Sequence, residues 1–156
     1  MKQFVHQSLS QDDGIRILHL KPAMSFDAPL RCSLINSRLS DSMRYEALSY
    51  VWGTPTGDRR LICDKAELLI TPNCELALRY LRFKWKSRSL WVDSICIDQN
   101  STSDRNHQVK QMGKIYKMAA NVLVWLGESD GRTKSAFARW TAPEQSNKPL
   151  GPLPAN

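Results

Sequence analysis

The sequence contains no run of about 18 apolar residues, which is the minimum for a membrane-spanning helix. Its first residues, MKQFVHQSLSQDDG, also lack the apolar segment of a secretory signal. These two absences predict a cytoplasmic protein without a membrane span, in which the four cysteines are reduced and buried. Hydrophobic residues make up 42% of the 156-residue chain, which is enough to build the core of one domain.

The signatures of several common enzyme classes are missing too. The chain has no GxGxxG, no Walker loop, no HExxH, no GxSxG and no CxxC pair. The cysteines lie far apart in the sequence, so we expect no metal site. Cys96 and His107 could in principle form a thiol–imidazole pair, but Cys96 lies inside a predicted strand, and we favour a buried core thiol.

The chain carries a net charge of +7, which raises the question of nucleic-acid binding. Many of the basic residues lie between Arg79 and Arg88, where a predicted helix ends, and cations are favourable there without any ligand. The chain has no zinc-finger motif and no RNP-type motif. We therefore expect no nucleic-acid partner.

Residues 90–127 have the clearest pattern in the chain. Leu90–Ile97 and Val122–Leu126 are both apolar and rich in β-branched residues, as expected of buried strands. The polar turn between them ends at Ser103, which we predict to be the N-cap of a helix. The apolar face of this helix comprises Val109, Met112, Ile115, Tyr116 and Ala119. Two such strands around one helix predict a βαβ unit with parallel strands covered on both faces.

The upstream sequence adds further strands and one helix. Gly14–Leu20 and Leu30–Asn36 predict a β-hairpin at the edge of the sheet, and Tyr45–Trp52 predicts a central strand. Arg60–Cys63 and Ala66–Ile70 flank a tight turn at Asp64-Lys65, and Thr71-Pro72 is typical of a helix start. The fold class is therefore α/β, with a mainly parallel central sheet flanked by helices and an N-terminal β-hairpin edge. Residues 1–13 are predicted to be flexible, 14–140 to form the domain, and 141–156 to be a disordered Pro-rich tail.

Two acidic residues mark a candidate site near the end of the Leu90–Ile97 strand. Ligands of open α/β sheets collect at the carboxyl ends of strands, where Asp98, Gln99 and a helix N-terminus are predicted to lie. Trp52-Gly53 closes another central strand, so Tyr50 or Trp52 could line one cleft with Asp98. Alternatively, Asp93 accepts hydrogen bonds from a neighbouring loop or pairs with Arg105 and so holds the turn in shape, and we favour this structural interpretation.

Three long blocks carry a family resemblance: YEALSYVWG (45–53), LWVDSICIDQ (90–99) and DRNHQVKQMGKIYKMAANVLVWLGE (104–128). Together they resemble the fungal heterokaryon incompatibility (HET) domain, which commonly has Asn at the position of Asp98 and Glu at the position of Asp104. The residues of these blocks that we single out as motif or binding candidates are Tyr45, Ser49, Tyr50, Trp52, Gly53, Trp91, Asp93, Cys96, Asp98, Gln99, Arg105, Gln108, Tyr116, Trp125 and Gly127.

The resemblance implies an effector module of fungal non-self recognition and regulated cell death, which acts through protein partners and includes self-association among its modes. It also implies a remote likeness to TIR domains, which are flavodoxin-like and in some branches hydrolyse NAD. Under that alternative NAD would be the ligand, and Asp93, Asp98 and Glu128 would be the catalytic candidates, in a cleft that includes Trp52. We otherwise expect no cofactor and no demonstrable enzymatic activity. A third interpretation is an inactive, truncated HET fragment, because the chain ends soon after the last block.

Overall fold

The computed structural model describes residues 1–54 and 56–128, and the predicted tail at 141–156 lies outside them. In this part of the chain, one seven-stranded sheet is packed against helices. The elements are β1 (Gly14–Leu20), β2 (Arg31–Arg38), β3 (Glu46–Tyr50), β4 (Arg59–Cys63), β5 (Ala66–Ile70), α1 (Pro72–Leu81), β6 (Arg88–Val92), α2 (Asp93–Cys96), α3 (Thr102–Met118) and β7 (Asn121–Trp125). The strand order is β5-β4-β2-β1-β6-β3-β7.

The sheet is α/β in class, as predicted, but the prediction of a mainly parallel sheet is wrong. The pairs β1–β2, β1–β6 and β4–β5 are antiparallel, whereas β2–β4, β3–β6 and β3–β7 are parallel. A tight connection accounts for one of the antiparallel pairs, β4–β5. Asp64 and Lys65 adopt φ values of 47° and 69°, so the β4–β5 connection has the left-handed backbone of a type I′ hairpin turn.

The N-terminal hairpin exists, but its predicted place at the sheet edge is wrong. β1 lies in the middle of the sheet, between β2 and β6. Its sequence looked half-polar because arginine and histidine interrupt it, yet Ile15, Ile17, Leu18 and Leu20 are all buried. Since apolar residues occupy both faces of β1, the strand is suited to a central position.

The βαβ unit is present, with several boundaries that differ from the prediction. β6 and β7 both run parallel to β3, which lies between them. β6 ends at Val92, and the residues up to Cys96 form a helical turn rather than more strand. The N-cap of α3 is Ser101, not Ser103, because the Ser101 side chain accepts a hydrogen bond from the Asp104 amide at 3.2 Å.

Helices cover both faces of the sheet, although not completely. Tyr116 of α3 packs edge-on against the buried indole of Trp91, with ring centroids 5.6 Å apart. On the other face, α1 buries Cys74, Ala77 and Leu78. β7, predicted to be buried, is instead an edge strand, and its two valines are exposed. Val109, predicted for the apolar face of α3, is exposed as well.

The first helix starts and ends as the sequence predicts. The Thr71 side chain accepts a hydrogen bond from the Cys74 amide, and Pro72 is the first helical residue. At its other end, Arg79 and Arg82 donate hydrogen bonds to backbone carbonyls of residues 25–29 at 2.7–3.2 Å. These arginines therefore fix the β1–β2 connection, which accounts for part of the basic cluster.

The N-terminal segment lies along the sheet edge formed by β5. The Phe4 amide donates to the Glu67 carbonyl, and the Glu67 amide donates to the Lys2 carbonyl, both at 2.8 Å. All four cysteines are buried and form no disulfide bond. Among the described residues, no helix has the length and apolarity needed to cross a membrane.

Candidate functional site

Trp52 and Asp93 meet at the carboxyl ends of two parallel neighbours. Asp93 directly follows β6, and Trp52 follows β3 by two residues. The indole Nε1 of Trp52 donates to both carboxylate oxygens of Asp93, at 3.1 and 3.2 Å. This edge is where an open sheet places ligands. We define the Trp52–Asp93 site by these two side chains and the residues that hold them.

The Asp93 carboxylate is held without a cationic partner. It accepts hydrogen bonds from the Trp52 indole and from the Ser94 amide, the latter at 2.7 Å. Among the described residues, no arginine or lysine pairs with it, and Arg105, its predicted partner, is exposed. Burial raises the pKa of Asp93, and the two hydrogen bonds oppose that rise without cancelling it. An acid with a raised pKa at a strand end is a candidate functional group.

A second polar cluster lies behind the carboxylate. The hydroxyl groups of Tyr50 and Ser94 are hydrogen-bonded at 2.5 Å, and the Cys74 Sγ lies 3.9 Å from the same serine oxygen. Burial raises the pKa of Tyr50, and it raises the pKa of Cys74 to about 11. The phenol and the thiol therefore stay protonated at neutral pH. They connect β3, α2 and α1 and offer no nucleophile.

Two further motif residues fix the chain around the site. The Gln99 side chain donates to the Asp93 carbonyl at 3.1 Å and so holds the turn that follows α2. Gly53 has a φ of 79°, a left-handed conformation that lets the chain turn directly after Trp52. The side-chain amide of Asn73 in α1 donates to the carbonyl of Val51. The side chain of Val51 is exposed.

Asp98 lies in a different cavity, of about 330 Å³, formed between the N-terminal segment and the start of α3. Its carboxylate is 3.7 Å from the Nδ1 of His6, and it accepts a hydrogen bond from the Asn100 amide at 3.0 Å. Neither Tyr50 nor Trp52 lines this cavity. The structure therefore does not bring Asp98 and Trp52 into one cleft, because the strand ends five residues earlier than predicted.

The sequence interpretation missed Arg16, which is almost completely buried. Its guanidinium donates to the Gln7 carbonyl at 2.7 and 3.1 Å, to the Cys96 carbonyl at 3.0 Å and to the Asp104 carboxylate at 2.9 Å. It therefore joins the N-terminal segment to α2 and α3. The sequence signal that could have identified Arg16 was its charge, since it lies in a strand that is apolar on both faces.

Most other motif residues hold the core together. Tyr45 donates to the Ile115 carbonyl at 2.6 Å and Tyr116 to the Leu48 carbonyl at 3.2 Å. Gln108 donates to the Gly14 carbonyl at 2.8 Å. The remaining residues of this kind are Ser49 on β3, the buried Trp91 and Cys96, Trp125 with its indole on Asn73, and Gly127 with a φ of 95°.

Cys96 and the catalytic candidate Glu128 bear on whether the protein could be an enzyme. Burial raises the pKa of Cys96 to about 12, so its thiol is not reactive. Glu128 accepts a hydrogen bond from Tyr80 at 2.9 Å. The partners of the Glu128 and Asp98 carboxylates among the described residues are Tyr80, His6 and Asn100, and neither acid is joined to Asp93.

Comparisons with known proteins identify the family of this chain. The sequence model of the heterokaryon incompatibility protein (HET) family matches residues 45–151, so the chain belongs to that family. Heterokaryon incompatibility protein 6, OR allele, of Neurospora crassa is 34% identical over 154 residues, an alignment that covers 86% of this chain and 23% of that protein. The chain thus spans about a quarter of this curated relative. No solved structure matches significantly.

Replacing Asp93 by asparagine should stabilise the protein at neutral pH. Because the pKa of Asp93 is raised in the folded state, its favourable contribution is present below the ordinary value of 3.8 and is lost as pH rises through the raised value. Asparagine can still accept from the Trp52 indole but carries no charge. We expect the melting temperature of Asp93→Asn to exceed that of the wild type increasingly as pH rises.

Asp13→Asn is the matched control for this measurement. Asp13, which is partly exposed, accepts hydrogen bonds from Ser40 and Arg38 that lower its pKa, so its favourable contribution is present above the ordinary value of 3.8. The sign of its effect is therefore opposite, and Asp13→Asn should lower the melting temperature slightly at neutral pH. Equal melting temperatures of wild type and Asp93→Asn at all pH values would contradict the raised pKa.

Proposed function

We propose that this chain is the effector module of a fungal heterokaryon incompatibility system. It acts in non-self recognition and regulated cell death by associating with protein partners, including copies of itself. Membership of the HET family and the similarity to heterokaryon incompatibility protein 6 support this role. The observation that carries the mode of action is the half-exposed Trp52 indole on the half-buried Asp93 carboxylate.

The chemistry of the site favours binding over catalysis. Tryptophan contributes disproportionately to the affinity of protein interfaces, especially beside a partly desolvated polar group. The exposed side chain of Val51 extends the apolar surface next to it. Asp93 has no cation of its own among the described residues, so a basic side chain of a partner could pair with it. This combination is typical of the centre of an interface.

A TIR-type NAD hydrolase is the second candidate. The raised pKa of Asp93 favours it, since a carboxyl group that titrates nearer neutrality can serve as a general acid or base. Against it, the two other catalytic candidates, Asp98 and Glu128, contact His6 and Tyr80 and not Asp93. The neighbouring Cys74 thiol stays protonated. Association is therefore the function that we propose first.

Expression in a fungal host tests the proposal through cell death. Trp52→Ala removes the exposed indole without removing core volume, and we expect it to abolish or strongly reduce death. Trp85→Ala is the matched control, because Trp85 is 79% exposed and lies in the connection between α1 and β6. We expect this control to kill as the wild type does, with all variants present at equal levels.

Two outcomes would contradict the proposal. One is cell death that is unchanged by Trp52→Ala and by Asp93→Asn, although both variants remain folded by circular dichroism. The other is release of nicotinamide from NAD by the purified wild-type chain, with loss of that release in Asp93→Asn. The second result would establish the hydrolase instead.

A further inference from the structure

In residues 1–54 and 56–128, β7 is an edge strand without the usual protection of an edge. Within the described residues, no strand pairs with its outer side. Its sequence, NVLVW, has no charge and no proline, and its pairing with β3 is regular over five residues. Val122 and Val124 are 48% and 64% exposed. A neutral, β-branched edge of this kind is a template for pairing with another strand.

The other edge of the same sheet is covered. The N-terminal segment at residues 2–4 makes backbone hydrogen bonds with Glu67 of β5, on the side away from β4. One edge is thus paired by the protein's own chain, whereas β7 is left open over the described residues. This difference sets β7 apart as a surface for association.

β7 is also held firmly in an extended conformation. The Trp125 indole donates to Asn73 at 2.9 Å and lies against the Tyr80 ring, with centroids 5.2 Å apart. At the other end of the strand, Asn121 donates to Glu46 at 3.2 Å. A strand fixed in this way loses little conformational freedom when a second strand pairs with it.

We propose that β7 pairs antiparallel with β7 of a second copy, around Leu123, so that two sheets become one. The inference rests on the proposed function, and it names a second copy as one of the partners. Pairing around Leu123 places Val122 opposite Val124 of the partner subunit on the same face of the sheet. Each exposed valine then meets an exposed valine, which is a favourable cross-strand pair.

Charge at the two ends of β7 selects the antiparallel direction and a second copy. Lys117, in the last turn of α3, precedes the strand, and Glu128 follows it. Antiparallel pairing brings the acidic end of each copy near the basic end of the other. Parallel pairing would bring like charges together, which is unfavourable. The edge is therefore complementary to itself.

The oligomeric state of the purified full-length chain tests the inference. We expect sedimentation velocity over a dilution series to show a monomer–dimer equilibrium. Val124→Lys puts a charge on each side of the pairing and should raise the dimer dissociation constant by about tenfold or more. Val109→Lys makes the same change at an exposed site on α3 and should leave the constant unchanged.

Hydrogen exchange identifies what occupies the edge. In the proposed dimer, amide exchange in β7 slows as concentration rises, and Val124→Lys abolishes this dependence. A full-length chain that is monomeric at every concentration overturns the inference. A monomer in which the β7 amides that point away from β3 are already protected does so too and assigns the edge to another segment of the protein's own chain. Trp52→Ala is expected to remain dimeric, so failure of the dimer and failure of the proposed function are distinguishable.

Discussion

Replacing Arg16 by methionine is expected to lower the free energy of unfolding by about 3–5 kcal/mol. Methionine retains much of the side-chain volume but removes every donor of the guanidinium. The Asp104 carboxylate, whose side chain is 13% exposed, would lose its cation. The carbonyls of Gln7 and Cys96 would also lose their hydrogen bonds. The large cost comes from leaving a partly buried charge without its partner. Urea unfolding measures this difference.

Arg38→Met is the matched control for this prediction. Arg38 makes a similar contact with Asp13, at 2.9 Å, but both side chains are much more exposed. An exposed ion pair contributes little, so we expect a loss below about 1 kcal/mol. Adding Asp104→Asn to Arg16→Met should recover part of the lost stability, because it removes the unpaired charge. If the two arginine variants were equally stable, the buried role of Arg16 would be refuted.

Replacing Trp91 by alanine is expected to cost about 3–5 kcal/mol. The Trp91 side chain is fully buried in β6, where it packs against Tyr116 of α3. Its indole Nε1 has no hydrogen-bond partner among the described residues, so the loss comes from packing and from the cavity left behind. Thermal or urea unfolding measures it. A cost of this size is a large fraction of the stability of a typical domain, which is about 5–15 kcal/mol.

Trp85→Ala provides the comparison, because it makes the same substitution on the surface. We expect it to change the free energy of unfolding by about 0.5 kcal/mol or less. Trp91→Phe should fall between the two, since an aromatic ring still fills part of the site. If Trp91→Ala and Trp85→Ala unfolded at the same urea concentration, the packing of α3 on β6 would differ from the one described.

The sequence allowed elements with strong local signals to be predicted well. Thr71-Pro72 specifies a helix start through chemistry within four residues, and Asp64-Lys65 specifies a tight hairpin turn. The βαβ unit was also predictable, because two apolar strands and one helix follow each other along the chain. In these cases the interactions that decide the structure are local.

Strand order and strand ends could not be predicted in the same way. The central place of β1 depends on its pairing with β6, more than sixty residues later, and no local pattern encodes this. The strand after Leu90 was predicted too long because Ile95 and Ile97 continue its apolar pattern. Asp93 to Cys96 instead form a helical turn, in which Ile95 and Cys96 are buried in the core.

The candidate site was predicted only in part, because the prediction placed the end of β6 at the wrong residue. Trp52 and the acidic residues were identified from their places at strand ends, but the assignment of Asp98 to that cleft depended on the wrong end of β6. Arg16 could not be assigned a partner, since its hydrogen bonds reach residues from three separate segments. Contacts of this kind follow from the three-dimensional arrangement alone.

The central position of β1 also affects how the protein can fold. The first strand of the sheet pairs with the second along its whole length, but its other side stays open until β6 is present. On the ribosome, an early hairpin would therefore display an apolar edge while the residues up to Val92 are still being made. Pairings between distant segments are slow to form, so the sheet of this protein should be completed late in synthesis, once β6 is available.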